Sequence, residues 1–168
     1  RILEAMNRHH TPEEFEHIVE ILRNKSPNMC LATDVITGFP GETDDDHHAT
    51  VELLGRVRPD IVNVTRYSPR PGTDAARSQN QIPGWIRKER SREISALRMR
   101  ISKELYCSHI GMEKDILITE YGKRGTMIGR TDSYRPVVVK GKHVIGTRLP
   151  IIVVDATSTY MIGEYQGI

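Results

Sequence analysis

A chain of 168 residues with 38% apolar and 27% charged side chains fits one medium domain or two small ones. No apolar run approaches the roughly 20 residues of a membrane span and no signal-peptide pattern opens the chain; two cysteines far apart in sequence, Cys30 and Cys107, argue against a disulfide scaffold and for a reducing cytoplasm. The net charge of +2 conceals nine Lys/Arg against thirteen Asp/Glu in residues 1–80, seven against three in 81–107 and eight against six in 108–168, so a polyanionic partner is expected at the C-terminal half.

The elements follow in chain order. Thr11-Pro12-Glu13-Glu14 predicts a helix start, with a hydroxyl cap, Pro at the first position and Glu three residues on. Phe15, Ile18, Val19 and Leu22 then form one apolar stripe, which Asn24–Asn28 ends. Met29–Thr37 reads as a buried parallel strand. Gly38-Phe39-Pro40-Gly41 turns the chain, and Thr43 caps a second helix whose first turn holds Asp44, Asp45 and Asp46 at the positive end of the dipole. Val51, Leu54 and Val57 are its expected buried side. Ile61–Tyr67 is a second strand, leaving through the loop Ser68–Thr73.

Pro83–Ser108 predicts a long helix with Ile94, Leu97, Ile101 and Leu105 as its stripe and Arg87, Lys88, Arg90, Arg92, Arg98 and Arg100 on other faces. Beyond Gly111 five short β-rich runs (Ile116–Tyr121, Met127–Arg130, Val137–Lys140, Ile151–Asp155 and Thr159–Ile162) alternate with glycine turns. They suggest a small OB-like barrel.

The expected fold is therefore α/β followed by all-β: residues 1–80, a connecting helix at 81–110, and a β-domain at 111–168. Helix–strand–helix–strand is the rhythm of a parallel α/β sheet or barrel. Two strands neither close a barrel nor make a stable parallel sheet. Further strands are thus expected before Arg1, and the chain, which begins without Met, is expected to be a fragment. An open half-barrel would leave Ile36, Val62 and Val64 uncovered and prone to association.

Asp34-Val35-Ile36-Thr37-Gly38-Phe39-Pro40-Gly41-Glu42-Thr43 places two glycines where a strand leaves the sheet for a capped helix. In α/β folds ligands sit at the carboxyl ends of strands, where glycine admits close approach. Alone, the segment also reads as an ordinary strand–helix turn. Joined in order with Met6-Asn7-Arg8, with Thr11, and with Tyr67-Ser68-Pro69-Arg70-Pro71-Gly72-Thr73, it resembles the radical S-adenosylmethionine (SAM) methylthiotransferases over nearly the whole chain, and the β-domain looks like that family's TRAM domain.

The resemblance implies the last strands of a radical-SAM (β/α) barrel, a linking helix and a TRAM β-barrel that grips tRNA. It also implies SAM as cofactor and two [4Fe–4S] clusters in the full-length enzyme. No Cys-x₃-Cys-x₂-Cys loop is present, so the cluster ligands are expected in a missing N-terminal part and the fragment alone should be inactive. Cys30 and Cys107 read as small buried apolar residues.

Carried onto this chain, the cofactor-binding residues are Arg8, Asp34, Gly38, Phe39, Thr65, Arg66 and Tyr67. Arg8 matches an arginine directed at the methionine carboxylate; it reads equally as a surface ion pair. Asp34, a carboxylate in an apolar strand that needs a partner, matches one near the SAM ribose. Gly38 and Phe39 would border the ligand, Thr65–Tyr67 would pass the adenine edge by backbone contacts, and Arg70 would face SAM or substrate. No metal ligands are expected: His9-His10 and His47-His48 diverge by about 100° on a helix, and Asp44–Asp46 lacks the spacing of a calcium loop.

In the β-domain, Lys123, Arg124, Arg130, Tyr134 and Arg135 mix cations with aromatics, the recipe for phosphate attraction and base stacking. The wording of Thr119–Gly125 and Asp155–Tyr160 looks most like the archaeal branch. That branch inserts sulfur and a methyl group at C2 of N6-threonylcarbamoyladenosine beside the anticodon. Two alternatives stand: a ribosomal-protein aspartate methylthiotransferase, and a non-catalytic RNA-binding module.

Overall fold

The computed structural model describes residues 1–167. Packing divides the chain within one long helix into two units, Arg1–Arg98 and Met99–Ile168. The first holds α1 (Ile2–Ala5), α2 (Pro12–Lys25), β1 (Ala32–Thr37), α3 (Asp44–Val57), β2 (Ile61–Arg66), α4 (Asp74–Arg77) and most of α5 (Gly84–Cys107). Both expected caps form as reciprocal boxes: Thr11 with Glu14, and Thr43 with Asp46, each satisfying two N–H donors that a helix start leaves unpaired. α3 ends where Arg58 turns left-handed at φ 49°, and Arg23 of α2 donates to the carbonyls of Val57 (2.6 Å) and Arg58 (3.0 Å). One side chain thereby holds two helices together and fills acceptors at a helix end.

The stripe of α2 is narrower than its periodicity suggests. Val19 is buried and Phe15 packs beside it, against Leu31, Val57, Met29 and Leu53, but Ile18 is 53% and Leu22 44% exposed. On α3, Leu54 and Val57 are buried as expected while Val51 is only partly so, and His47 joins the buried side.

β1 and β2 pair in parallel, from Ala32 opposite Ile61 to Thr37 opposite Arg66. β1 starts later than Met29 because the approach is spent otherwise: the Met29 N–H closes a turn on Ser26, and the Leu31 N–H donates to the buried Asp60 carboxylate at 2.9 Å. Alternation then sorts the two faces. Thr33, Val35 and Thr37 face the covered side with Val62, which is 1% exposed; Asp34 and Ile36 face the open side. Of the three apolar residues expected to be bare, Ile36 is exposed, Val64 is half-buried and Val62 is not bare at all.

The second unit contains the end of α5 and a closed barrel of β3 (Glu113–Tyr121), β4 (Thr126–Arg130), β5 (Pro136–Lys140), β6 (Arg148–Ala156) and β7 (Met161–Tyr165), in the order β3-β4-β5-β7-β6. β5 and β7 run parallel and all other pairs antiparallel. Closure removes both sheet edges. Its core is Tyr106 of α5 with Ile116, Ile118, Met127, Val137, Val139, Leu149, Ile151, Val153, Ala156 and Met161. β7 begins two residues later than the sequence suggests, because the Thr157 hydroxyl accepts the N–H groups of Thr159 and Tyr160 and holds 157–160 as a turn. Among the described residues no helix is long and apolar enough to cross a membrane.

Candidate functional site

The open face of the parallel sheet is the first site. Register places Asp34 opposite Asn63, and the Asn63 amide donates to Asp34 Oδ1 at 2.8 Å. The partner that a carboxylate in this strand requires is therefore its cross-strand neighbour, and both side chains remain solvent-facing, with Ile36 and Thr65 beside them. Asn63 was not a sequence candidate. Counting the two strands into register was the signal that finds it.

Where β1 ends, the chain bends sharply and is buried through Thr37, Gly38, Phe39, Pro40 and Glu42. Gly38 has φ 71°, and a Cβ there would lie 2.1 Å from Cγ of Arg87. Within the protein, the space that a Cβ at Gly38 would take is filled by the arginine stem of α5. The Gly38 N–H donates to the Glu42 carboxylate at 2.7 Å, and the Glu42 N–H returns to the Phe39 carbonyl at 3.0 Å. Phe39 is 9% exposed and meets Tyr67 edge-on, ring centroids 5.3 Å apart.

Two arginines of α5 hold this rim. Arg90, 6% exposed, donates to the Glu42 carboxylate, to the Glu42 carbonyl (3.2 Å) and to Asp44 (2.6 Å). Burial opposes its charge, but the bonds to Asp44 and Glu42 outweigh that and raise its pKa further; the same bond and charge hold the Asp44 carboxyl below the usual aspartate range. Arg87 donates to the Tyr67 carbonyl, while the Tyr67 N–H extends the ladder to Thr37 O at 2.9 Å. Arg87 and Arg90 were expected away from the stripe of α5. They lie on it, because 87, 90, 94, 97 and 101 share one helical face. Nearby, the buried His47 is bonded to Glu93 at 2.8 Å, and its ring lies 6.1 Å from that of His48, tilted by 54°.

The other expected cofactor residues are less gathered. Arg8 is exposed in a shallow pocket with Leu3, Glu4, His9 and His10. No hydrogen bond or ion pair among the described residues joins it to Asp34 or to the bend. Thr65 and Arg66 are exposed at the end of β2, and the half-buried Tyr67 has a hydroxyl oxygen that is buried without a partner among the described residues. Arg70 is exposed in the loop that follows. Cys30 and Cys107 are each half-buried.

The barrel carries the second site. Lys123 and Arg124 stand exposed in the β3–β4 turn, with Arg124 left-handed at φ 54°. Arg130 lies over the ring of Tyr134, 4.9 Å from its centroid, and reaches Glu120 at 3.3 Å. Tyr134 is 70% exposed, a free aromatic face backed by a cation. Arg135 departs from expectation: it is 7% exposed and donates to Ser133 at 2.8 Å, because the turn it closes folds its guanidinium inward.

Lys140 and Lys142 were not sequence candidates. They are exposed at the end of β5, which the Gly141 N–H ties to the Gly125 carbonyl of the β3–β4 turn at 3.1 Å. Beside them His143 meets Tyr165 edge-on at 5.5 Å. Among the described residues Lys123, Arg124, Lys140 and Lys142 have no ion-pair partner, whereas Arg148 is paired with both Asp115 and Asp132.

Residues 108–165 match the TRAM domain. The "Probable threonylcarbamoyladenosine tRNA methylthiotransferase" of Pyrococcus abyssi is 47% identical over 99% of this chain, and that of Archaeoglobus fulgidus 43% over 98%. The "tRNA-2-methylthio-N(6)-dimethylallyladenosine synthase" of Bartonella bacilliformis is 36% identical over 98%. The chain spans 39%, 38% and 36% of the length of these three relatives. Residues 108–165 thus match the TRAM domain, and nearly the whole chain is similar to a part, about two-fifths, of relatives named as tRNA methylthiotransferases.

Proposed function

We propose that this chain is part of a radical SAM tRNA methylthiotransferase that acts at C2 of N6-threonylcarbamoyladenosine beside the anticodon. The observation that carries the reading is a parallel strand pair whose open face presents a bonded Asp34–Asn63 polar pair just before a glycine bend, in a chain 47% identical to a relative bearing that name. The higher identity to the threonylcarbamoyladenosine-named relatives, 47% against 36% for the Bartonella protein, favours that adenosine.

In this reading β1 and β2 are strands of a radical-SAM barrel completed by a further segment of the same polypeptide. The residues fit a bound adenosyl group. Asp34 retains a second carboxylate oxygen for a ribose hydroxyl, and the orphaned Tyr67 hydroxyl is a buried polar atom in need of a partner. Bound SAM, with two [4Fe–4S] clusters ligated outside this chain, would supply radical and sulfur chemistry; Cys30 and Cys107 do not make a cluster loop. This chain's own residues bind and orient. Asp34 and Asn63 fix the ribose, the rim of Gly38–Glu42 and Tyr67 walls the site, Arg8 offers a fork for a carboxylate, and the barrel holds tRNA in the cytoplasm with its cations and Tyr134.

Mass spectrometry of tRNA nucleosides tests the activity. Cells lacking the intact gene should lose the 2-methylthio derivative of N6-threonylcarbamoyladenosine, and re-expression should restore it. An unaltered profile removes the assignment, and loss of a dimethylallyl derivative instead would move it to the other adenosine.

A further inference from the structure

We propose that Arg87 and Arg90 of α5 are positioning residues, which set the backbone at the two strand ends before the adenosyl ligand arrives. The inference rests on the cofactor reading above and adds to it residues that touch no ligand.

The geometry divides the work between them. Arg90 controls the exit of β1 through an unbroken set of bonds: the Gly38 N–H and the Arg90 guanidinium both donate to the Glu42 carboxylate, and Arg90 donates to Asp44. Arg87 controls the exit of β2, since its guanidinium donates to the Tyr67 carbonyl. Its stem also fills the space above Gly38 that a Cβ would occupy, 2.1 Å from Cγ. The two cations stand three residues apart on one helical face and so reach adjacent strand ends from one rigid support.

Burial argues that this arrangement serves shape. Arg90 and Glu42 are 6% and 7% exposed, and a buried ion pair gains little net stability over apolar packing because both charges lose their water. What the pair does provide is a unique geometry, with the N–H groups of Gly38, Gly41 and Glu42 bonded within the protein before any ligand binds. Such preorganisation lowers the ordering cost of binding. Loss of it should therefore appear first in affinity for the adenosyl group and not in affinity for RNA.

The test uses the intact, cluster-reconstituted enzyme and four variants. Arg90→Lys keeps the charge but loses the fork, and Arg87→Met keeps the stem over Gly38 but loses the donor to Tyr67. Glu42→Gln weakens the junction, and Lys88→Ala, an exposed neighbour, is the control. Equilibrium dialysis with S-adenosylmethionine and S-adenosylhomocysteine should show Kd raised about tenfold or more in the first three, with tRNA affinity and cluster content at wild-type levels. KM for S-adenosylmethionine should rise more than kcat falls. Folded Arg90→Lys and Arg87→Met proteins with Kd within twofold of wild type overturn the positioning role while leaving the cofactor reading intact. A wild-type enzyme with no affinity for either adenosyl probe overturns both. A parallel loss of adenosyl and tRNA affinity, with a lowered melting temperature, also overturns the proposal, since it marks general destabilisation.

Discussion

Gly38 shows how much one residue type can be asked to do. Its φ of 71° is costly for any side chain, and the position of its missing Cβ is already taken by Arg87. Gly38→Ala should therefore destabilise the first unit by about 2–4 kcal/mol, combining left-handed strain with overpacking. In an Arg87→Ala background the same change should cost only about 1–2 kcal/mol, because the overpacking is relieved. Urea unfolding of the four proteins closes the cycle, and additive costs would show that the two residues do not share the space. Asp44 offers a pH test. Its carboxyl is held below the ordinary range by the bond and charge of Arg90, so its stabilisation is complete above the unfolded aspartate value of about 3.9. That stabilisation is lost as pH falls through the lower folded value. Melting temperatures followed from pH 5 to 2 should fall more steeply in the wild type than in Asp44→Asn below about pH 4. Parallel curves would mean the contact carries no linkage.

At the scale of the element, the caps and the strands were the parts most legible in sequence. Thr11 and Thr43 announce their helices because a hydroxyl followed three residues later by a carboxylate answers two orphan donors, and both boxes are formed. Thr43→Ala should cost about 1 kcal/mol in urea unfolding, and an unchanged midpoint would count against the box. What remained hidden depended on pairing between distant residues. Periodicity alone could not show that Ile18 and Leu22 would stay exposed, since the width of a buried stripe is set by the facing helix. Nor could it show that Arg87 and Arg90 bury their charges, because only the bend supplies Glu42 and the Tyr67 carbonyl as acceptors. The Asp34–Asn63 pair waited on the register of two strands 29 positions apart. In the barrel, Gly129 lies opposite the Ile116 side chain, 2.7 Å from where its Cβ would stand; the small ring of five strands leaves that space to one side chain only.

Over the whole molecule, the charge asymmetry read from composition resolves into two kinds of cation on the barrel. Arg130 and Arg148 are compensated by Glu120, Asp115 and Asp132, and Arg135 is turned inward. Lys123, Arg124, Lys140 and Lys142 are exposed and unpaired among the described residues, and the tie between Gly125 and Gly141 brings their two segments together. An unpaired cation that neutralises a phosphate releases a counterion, whereas a compensated one first gives up its own carboxylate. If the barrel binds tRNA as proposed, replacing Lys123, Arg124 and Arg130 by Ala in the intact protein should weaken that binding and flatten its salt dependence. Replacing Lys140 and Lys142 should do the same, each lost contact lowering the log–log slope by about 0.7–0.9. Arg148→Ala should leave the slope near wild type, because Asp115 and Asp132 already spend its charge. Filter binding from 50 to 300 mM salt separates the cases. Unchanged slopes in both multiple variants would remove this end of the barrel as an RNA surface; a large effect of Arg148→Ala alone would place the surface around Arg148 on β6.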